Sequence, residues 1–248
     1  DDLNNSNVQN VTNMENMFQD ARSFNRPLNN WNVSNVINME NMFNDARSFN
    51  RPLNNWNVSK VTNMNHLFGG ARTFNQPLNC WNVSKVTNMA YMFSFTNFNQ
   101  PLDSKQPLYR WNVHNVTNMM AMFAFAYFNR PLSNWNVSNV TNMSYMFSSN
   151  SYFNQPLKDW DVSNVTNMEY MFMDAKSFNQ PLNKWNVSKV KLIKEMFKGA
   201  ESFKQKLDFI KCKKTKSRCI RTKGCEWIDG KGCQKKEEKK HSKSKSPV

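Results

Sequence analysis

The amino-acid sequence predicts a repeat solenoid followed by a small cysteine-rich module. Trp residues recur about every 25 residues, and a Met-Phe pair keeps the same period, as expected of stacked repeats. Asn is abundant up to Asn186 and absent beyond it, so the composition changes near residue 203. The periodic Trp residues are Trp31, Trp56, Trp81, Trp111, Trp135, Trp160 and Trp185.

The repeated unit carries apolar residues at fixed places. In one unit they are Trp31, Val33, Val36, Met39, Met42, Phe43, Phe49, Pro52 and Leu53. One unit is too small to bury them, whereas stacked units align each side chain with its copies and form a continuous core. The Met-Phe pairs, with Leu67-Phe68 as a conservative exception, indicate eight units.

Each unit is expected to contain short helical turns and short strands. Met39, Met42, Phe43 and Ala46 follow spacings of three and four residues, which predicts one or two helical turns capped by Asn38. Residues 31–33 and 49–53 are interpreted as short extended pieces, the second interrupted by Pro52. The recurrent Asn residues are expected to satisfy backbone groups, adopt left-handed conformations and form hydrogen-bonded ladders between neighbouring units.

One interval of the repeat is longer than the others. An insertion that includes Asp103, Lys105 and Gln106 lies between Pro101 and Trp111. Insertions in repeat proteins map to loops, so we expect these residues to contact a partner.

The unit resembles a known family of surface proteins. Residues 128–143, FNRPLSNWNVSNVTNM, look like the repeat of BspA-like leucine-rich-repeat surface proteins, in the variant widespread in mycoplasma lipoproteins and also found in bacteria, protists and large DNA viruses. The resemblance covers residues 1–203 and implies a leucine-rich-repeat-like solenoid with a surface, adhesion or structural role. It brings no catalytic residues to this chain.

The second piece of the chain, residues 204–234, contains four Cys residues: Cys212, Cys219, Cys225 and Cys233. Their spacing favours two disulfides over a zinc site or free thiols, because zinc ligands usually come in pairs two to four residues apart. Asp229-Gly230 predicts the turn of a small hairpin. The stretch from Cys219 to Cys233, Cys-x5-CEWIDGKGC, resembles short cysteine modules in proteins of large DNA viruses of algae and protists.

The basic charge is concentrated in the last part of the chain. Of 33 Lys and Arg against 18 Asp and Glu, most of the excess follows residue 203, and residues 235–248 are interpreted as a disordered Lys/Ser tail. Its lysines include Lys235, Lys236, Lys239 and Lys240 and are expected to contact an anionic polymer or acidic neighbouring proteins. We predict no specific nucleic acid partner, since clustered Lys neutralises phosphates without reading sequence.

Catalytic and cofactor sites are not predicted. His66, His114 and His241 form no metal-binding pattern, and His66 and His114 are interpreted as surface substitutions. Cys80 is interpreted as an incidental thiol, and no apolar run reaches the roughly 20 residues of a membrane span. The sequence predicts neither an enzyme nor a bound cofactor.

The leading hypothesis is a structural or interaction protein outside a particle or cell. We expect a minor capsid or capsid-associated protein of a large DNA virus, located in the virion with other shell proteins as partners. The alternative is a cell-surface or secreted adhesin or lipoprotein that binds host matrix or glycan. A nucleic-acid packaging role would depend on the tail alone.

Overall fold

The computed structural model describes residues 3–102 and 111–207, together with the backbone of two short strands near the carboxyl end. The chain divides into two compact units, Asp1–Phe209 and Ile210–Val248. Repeat contacts continue past residue 203, because the Gln205 side chain donates to the carbonyl oxygen of Asn179 at 3.1 Å. The repeats therefore extend at least two residues beyond the boundary expected from composition. We number repeats by their Met-Phe pairs, from Met17-Phe18 in repeat one to Met196-Phe197 in repeat eight.

Successive repeats of the first unit lie side by side and are joined by parallel β-bridges. Each repeat contributes one bridge residue rather than a strand. The bridged residues are Asn13, Asn38, Asn63, Asn88, Asn118, Asn142, Asn167 and Leu192, each paired with the next. The extended pieces expected at residues 31–33 and 49–53 form no strand.

The segment expected to be helical forms a chain of turns instead. Backbone N–H groups of Met42 and Ala46 donate to residues three earlier, at 3.2 and 3.0 Å. Asn41 and Asp45 have φ of 53° and 54°, and a left-handed residue at every fourth position ends an α-helix. The N–H groups of alternate residues donate to the next repeat, as from Phe43 to Leu67 O at 2.9 Å. The helix prediction was wrong because the spacing of three and four also fits successive turns.

The apolar positions form continuous columns through the first unit. In the unit used above, all the predicted core residues are buried except Pro52, which is exposed. Rings of neighbouring repeats stack, for example Trp31 on Trp56 with centroids 6.4 Å apart. Within a repeat, Phe43 stacks on Phe49 at 4.1 Å. The prediction of a columnar aromatic core is confirmed.

Asn side chains link the repeats at the edges of the core. The Oδ1 atoms of Asn25, Asn50, Asn75, Asn99, Asn129, Asn154 and Asn179 each accept a backbone N–H bond from the next repeat at 2.9–3.0 Å. The Asn41 side chain also donates to Asn16 Oδ1 at 3.0 Å. Both the ladders and the left-handed Asn residues expected from the sequence are present.

Regular secondary structure in the described residues is limited to three short elements. A 3₁₀-helix spans Leu3–Asn5. In the second unit, strand β1 spans Cys225–Ile228 and strand β2 spans Gly232–Lys235. The two strands pair antiparallel, with Trp227 opposite Cys233, as the predicted hairpin requires. The turn expected at Asp229-Gly230 lies outside the described residues.

Candidate functional site

Aromatic rings lie on the surface of the central repeats, outside the core columns. We call this set the aromatic strip: Tyr91, Phe95, Phe125, Tyr127, Tyr145, Tyr152 and Tyr170. Phe95 is 50% exposed, Phe125 47% and Tyr152 53%. The rings occupy the turn segment of repeats four to seven and the residues just after it.

The strip is organised by stacking between neighbouring repeats. Phe95 stacks on Phe125 with centroids 4.4 Å apart and planes within 6°. Tyr145 stacks on Tyr170 at 4.6 Å. Tyr127 stacks on Tyr152 at 5.0 Å. Because the rings support one another, they are held in fixed positions although they are exposed.

Five members of the strip occupy backbone positions that disfavour bulky side chains. Tyr91, Phe95, Phe125, Tyr145 and Tyr170 have φ between 54° and 58°. In repeats one to three the same positions carry Asn16, Asp20, Asn41, Asp45, His66 and Gly70. Asn, Asp and Gly adopt this conformation readily, whereas other residues incur about 1–2 kcal/mol. The left-handed backbone conformation therefore does not explain why aromatic residues occupy these positions.

The strip is bordered by polar residues at both ends. Asn41 and Asp45 precede it, and Asp174 and Glu195 lie at the equivalent positions beyond it. At the far end, Lys194 Nζ lies 5.6 Å from the centroid of the Tyr170 ring. An apolar patch with a polar rim is typical of interaction surfaces.

Small residues lie next to the strip in the turn segments. Ala90, Ser94, Ala124 and Ser144 occupy positions where repeats one and two carry Glu, Gln or Asn. All four are buried. Long side chains at these positions would stand beside the rings, so the small residues leave the strip accessible.

A shallow pocket of about 360 Å³ adjoins the strip at repeat three. Its lining includes Asp45, His66, Gly70, Arg72, Tyr91 and Phe95. The His66 ring stacks on Tyr91 with centroids 4.3 Å apart. Tyr91 and Phe95 thus belong to both the strip and the pocket.

Burial sets the protonation of two groups in this region. Burial lowers the pKa of His66, although the nearby carboxylates of Glu40 and Asp45 oppose the change. The imidazole is therefore neutral near pH 7. Desolvation raises the pKa of Tyr145, and Tyr170 and Glu169 raise it further, so its hydroxyl stays protonated.

The structure places the two His residues of the repeats and Cys80. His66 is half-buried and lines the shallow pocket, and its interpretation as a surface substitution stays a prediction. His114 is exposed, and its Nδ1 lies 3.1 Å from the Asn136 amide nitrogen. Cys80 is an exposed thiol whose Sγ lies 3.2 Å from the Asn54 amide nitrogen.

The predicted disulfide and partner residues fall mostly outside the described residues. Those outside are Asp103, Lys105, Gln106, Cys212, Cys219, Lys236, Lys239 and Lys240. Cys225 lies opposite Lys235 in the register of β1 and β2. Within the described ranges there is no cluster of three or more metal-ligating side chains. No helix among the same residues has the length and apolarity needed to cross a bilayer.

Sequence reasoning missed the aromatic strip. The regular period of the Trp and Phe residues predicts that the aromatic rings lie in the interior. Phe95 and Phe125 break that period, because they stand where other repeats carry Asp, Gly or Ser. Aligning the repeats position by position would have separated them from the core rings.

A comparison with known families matches the part of the chain that carries the repeats. The model of the family described as "Mycoplasma protein of unknown function, DUF285" matches residues 1–105 and 97–210. The chain belongs to the DUF285 family. DUF285 is a family of BspA-like surface repeat proteins, so this chain is a repeat protein of the surface or interaction class. The DUF285 match ends at residue 210 and does not include the four-cysteine stretch.

No curated protein and no solved structure matches this DUF285 protein in the corresponding comparisons.

Proposed function

We propose that this DUF285 protein is a non-enzymatic cell-surface adhesin that binds host matrix or glycan through its aromatic strip. The stacked repeats act as a solenoid scaffold of the leucine-rich-repeat-like type. The observation that carries the proposal is the set of exposed, stacked rings at left-handed positions in repeats four to seven. The surface character of the family supports the location.

The energetics of the strip support a role in binding. A bulky residue at a left-handed position is less stable than Asn or Gly there by about 1–2 kcal/mol. Such strain is concentrated at functional sites, where another requirement maintains it. Tyr and Phe supply a large, rigid contact area at low cost in side-chain entropy, and Tyr is enriched among residues that dominate binding energy.

The scaffold supplies regular spacing. Parallel bridges between neighbouring repeats correspond to a rise of about 4.8 Å per repeat. The strip spans four repeats, so it offers rings over roughly 15 Å in a fixed order. An extended partner that lies along the stack contacts several rings at once, whereas a mobile loop would first have to be ordered.

The family favours the surface alternative over the capsid hypothesis. The virion location, the shell-protein partners and the disulfides of the cysteine module remain predictions from the sequence. We propose the adhesin role in their place because the strip lies in the part of the chain that DUF285 covers.

A binding measurement tests the proposed function. The full chain is applied to immobilised fibronectin, laminin, collagen and a glycan panel, alongside the variant F95N/F125N/Y127S/Y152S. The control variant I37T/L192N removes two other exposed apolar side chains by introducing residues that neighbouring repeats carry at those positions. We expect the wild type and the control to bind at least one ligand, and the strip variant to lose at least about tenfold in affinity. Equal binding by all three proteins, or binding by none, would overturn the proposal.

Location is tested separately on the cells that produce the chain. Intact cells are treated with protease, and the remaining full-length chain is quantified against a cytoplasmic marker. We expect the chain to be cleaved while the marker survives. Survival of both would contradict a surface position.

A further inference from the structure

The pocket at repeat three coincides with the loss of an ion pair that the preceding repeats contain. Arg22 lies 3.7 Å from Asp20, and Arg47 lies 3.3 Å from Asp45, so each Arg pairs with the Asp two residues before it. In repeat three Gly70 replaces that Asp while Arg72 is kept. Arg72 forms no ion pair with any residue in the described part of the chain. The substitution thus leaves a guanidinium without its carboxylate.

The two glycines of repeat three set the arrangement of the pocket lining. Gly70 lies at φ 71°, and a Cβ atom placed on it would lie 2.9 Å from Asp45 Oδ1. A Cβ atom on Gly69 would lie 3.0 Å from His66 Nδ1 and 3.2 Å from Asn44 Oδ1. A side chain at either position would therefore displace lining residues, which the two glycines allow to pack directly against the backbone.

The remaining lining suits a ligand that carries hydroxyl groups on a ring. Asp45 and Asn44 offer side-chain oxygens as acceptors, and neutral His66 can accept or donate. Phe95 offers an exposed aromatic surface at the side of repeat four. The negative face of an aromatic ring attracts the C–H groups on one side of a sugar ring. Arg binds carboxylates in a two-pronged geometry, which adds orientation.

We propose that this pocket binds a carboxylate-bearing sugar unit of an acidic glycan. The sugar carboxylate pairs with the Arg72 guanidinium. Its hydroxyl groups donate to Asp45 and Asn44, and its ring lies against Phe95. An acidic peptide fits less well, because its carboxylate and backbone N–H donors are not carried on a ring that could lie against Phe95.

This inference rests on the proposed function and specifies one ligand class for the end of the strip at repeat three.

Its test uses the full chain and two matched pairs of oligosaccharides. Sialyllactose is compared with lactose, and a hyaluronan tetrasaccharide with chitotetraose, so that each pair contrasts an acidic with a neutral glycan. Binding is followed by titration to about 10 mM, a range that detects affinities near 1 mM.

Two variants separate the pocket from the fold. G70D restores the Asp of repeats one and two and pairs Arg72, and Asp20 and Asp45 already adopt the same left-handed conformation. R72Q removes the charge at an exposed position. We expect saturable binding of at least one acidic glycan, no binding of its neutral partner, and at least a tenfold loss in both variants. Thermal unfolding of both variants verifies that they remain folded.

Three results would overturn the inference. They are the absence of binding to either acidic glycan, equal binding of the neutral partner, or undiminished binding by folded G70D. The proposed function fails separately, because it predicts loss of matrix or glycan binding in F125N/Y127S/Y152S, which leaves Phe95, Gly70 and Arg72 of the pocket unchanged. A protein that adheres through the strip but ignores acidic sugars would refute only the pocket inference.

Discussion

The indole N–H of Trp160 donates a hydrogen bond to the carbonyl oxygen of Leu132 at 2.9 Å. Equivalent bonds join Trp56 to Leu28 and Trp185 to Leu157, so the bond recurs along the stack. The buried Trp135 indole nitrogen has no acceptor within the described residues. The insertion lies between Leu102 and Trp111, one repeat before Trp135, and no earlier Trp of the series lies one repeat beyond an insertion. The insertion thus coincides with a break in one of the regular contacts between repeats.

This difference predicts unequal effects of the same substitution. Trp160→Phe loses the buried bond from the indole N–H, and the Leu132 carbonyl keeps only its bond from the Trp135 backbone N–H at 3.1 Å. Trp135→Phe instead removes an indole N–H that has no acceptor among the described residues. We expect Trp160→Phe to lower the free energy of unfolding by about 1–2 kcal/mol more than Trp135→Phe. Urea denaturation of both variants measures the difference. Equal destabilisation would contradict the hydrogen-bond argument.

The Asn ladder predicts a second stability effect. Asn154 Oδ1 accepts from the backbone N–H of Asn179 and from the Gln180 side chain, both at 3.0 Å. Asn154→Ala leaves that N–H unpaired and should destabilise the protein by about 1–3 kcal/mol. Asn154→Asp keeps an acceptor and should be milder, and exposed Asn183→Ala should change stability by under about 0.5 kcal/mol. Denaturant midpoints that rank the three variants differently would contradict this role.

The environment of His66 predicts a dependence of stability on pH. Burial lowers the pKa of His66 in the folded state below its ordinary value, so the unfolded state binds the proton more readily. The resulting stability is fully present above about pH 6.5 and is lost as the pH falls through the folded pKa. An NMR titration should give His66 a pKa below the ordinary value. His66→Asn, which introduces the residue of Asn41, should remove this part of the stability change between about pH 7 and 5.

The stacked arrangement predicts tolerance to the removal of one whole repeat. Deleting residues 161–185 joins Trp160 to Asn186 and preserves the order of positions along the chain. Contacts between neighbouring repeats are then re-formed, so the variant should fold with a lower melting temperature. Deleting residues 161–172 instead shifts the following columns by half a repeat and should prevent folding of that region. Circular dichroism during heating checks both, and similar behaviour of the two deletions would contradict stacking in register.

The sequence predicts the column positions because burial repeats with the period of the chain. Phe43 and Leu53, for example, are buried with their copies in the inner repeats, whereas the terminal copies Phe18, Phe197 and Leu3 are partly buried. The local backbone was harder to predict. Met39 and Met42 show the same spacing whether the chain forms a helix or successive turns, and only the left-handed φ of Asn41 distinguishes the two.

The candidate site was harder still to predict, because it depends on exceptions to the repeat. Phe95 and Phe125 are apolar and periodic with each other, so hydrophobicity alone assigns them to the core. Their exposure follows from the position they occupy in the turn. Likewise, the sequence shows that Gly70 replaces the Asp of the preceding repeats, but not that a pocket lies there. The pocket becomes visible only in the structure, where Arg72 and residues of repeats two and four line the same space.

The central claim is that the strip rings are maintained for binding, although their backbone positions favour other residues. The measurement that tests it most directly compares the affinity of F95N/F125N with that of the wild type for the matrix protein or glycan that the wild type binds, with thermal unfolding in parallel. Asn suits both left-handed positions, so we predict that binding falls at least about tenfold while stability is unchanged or higher. Retained binding together with a loss of stability would show that the rings serve the fold and would contradict the claim.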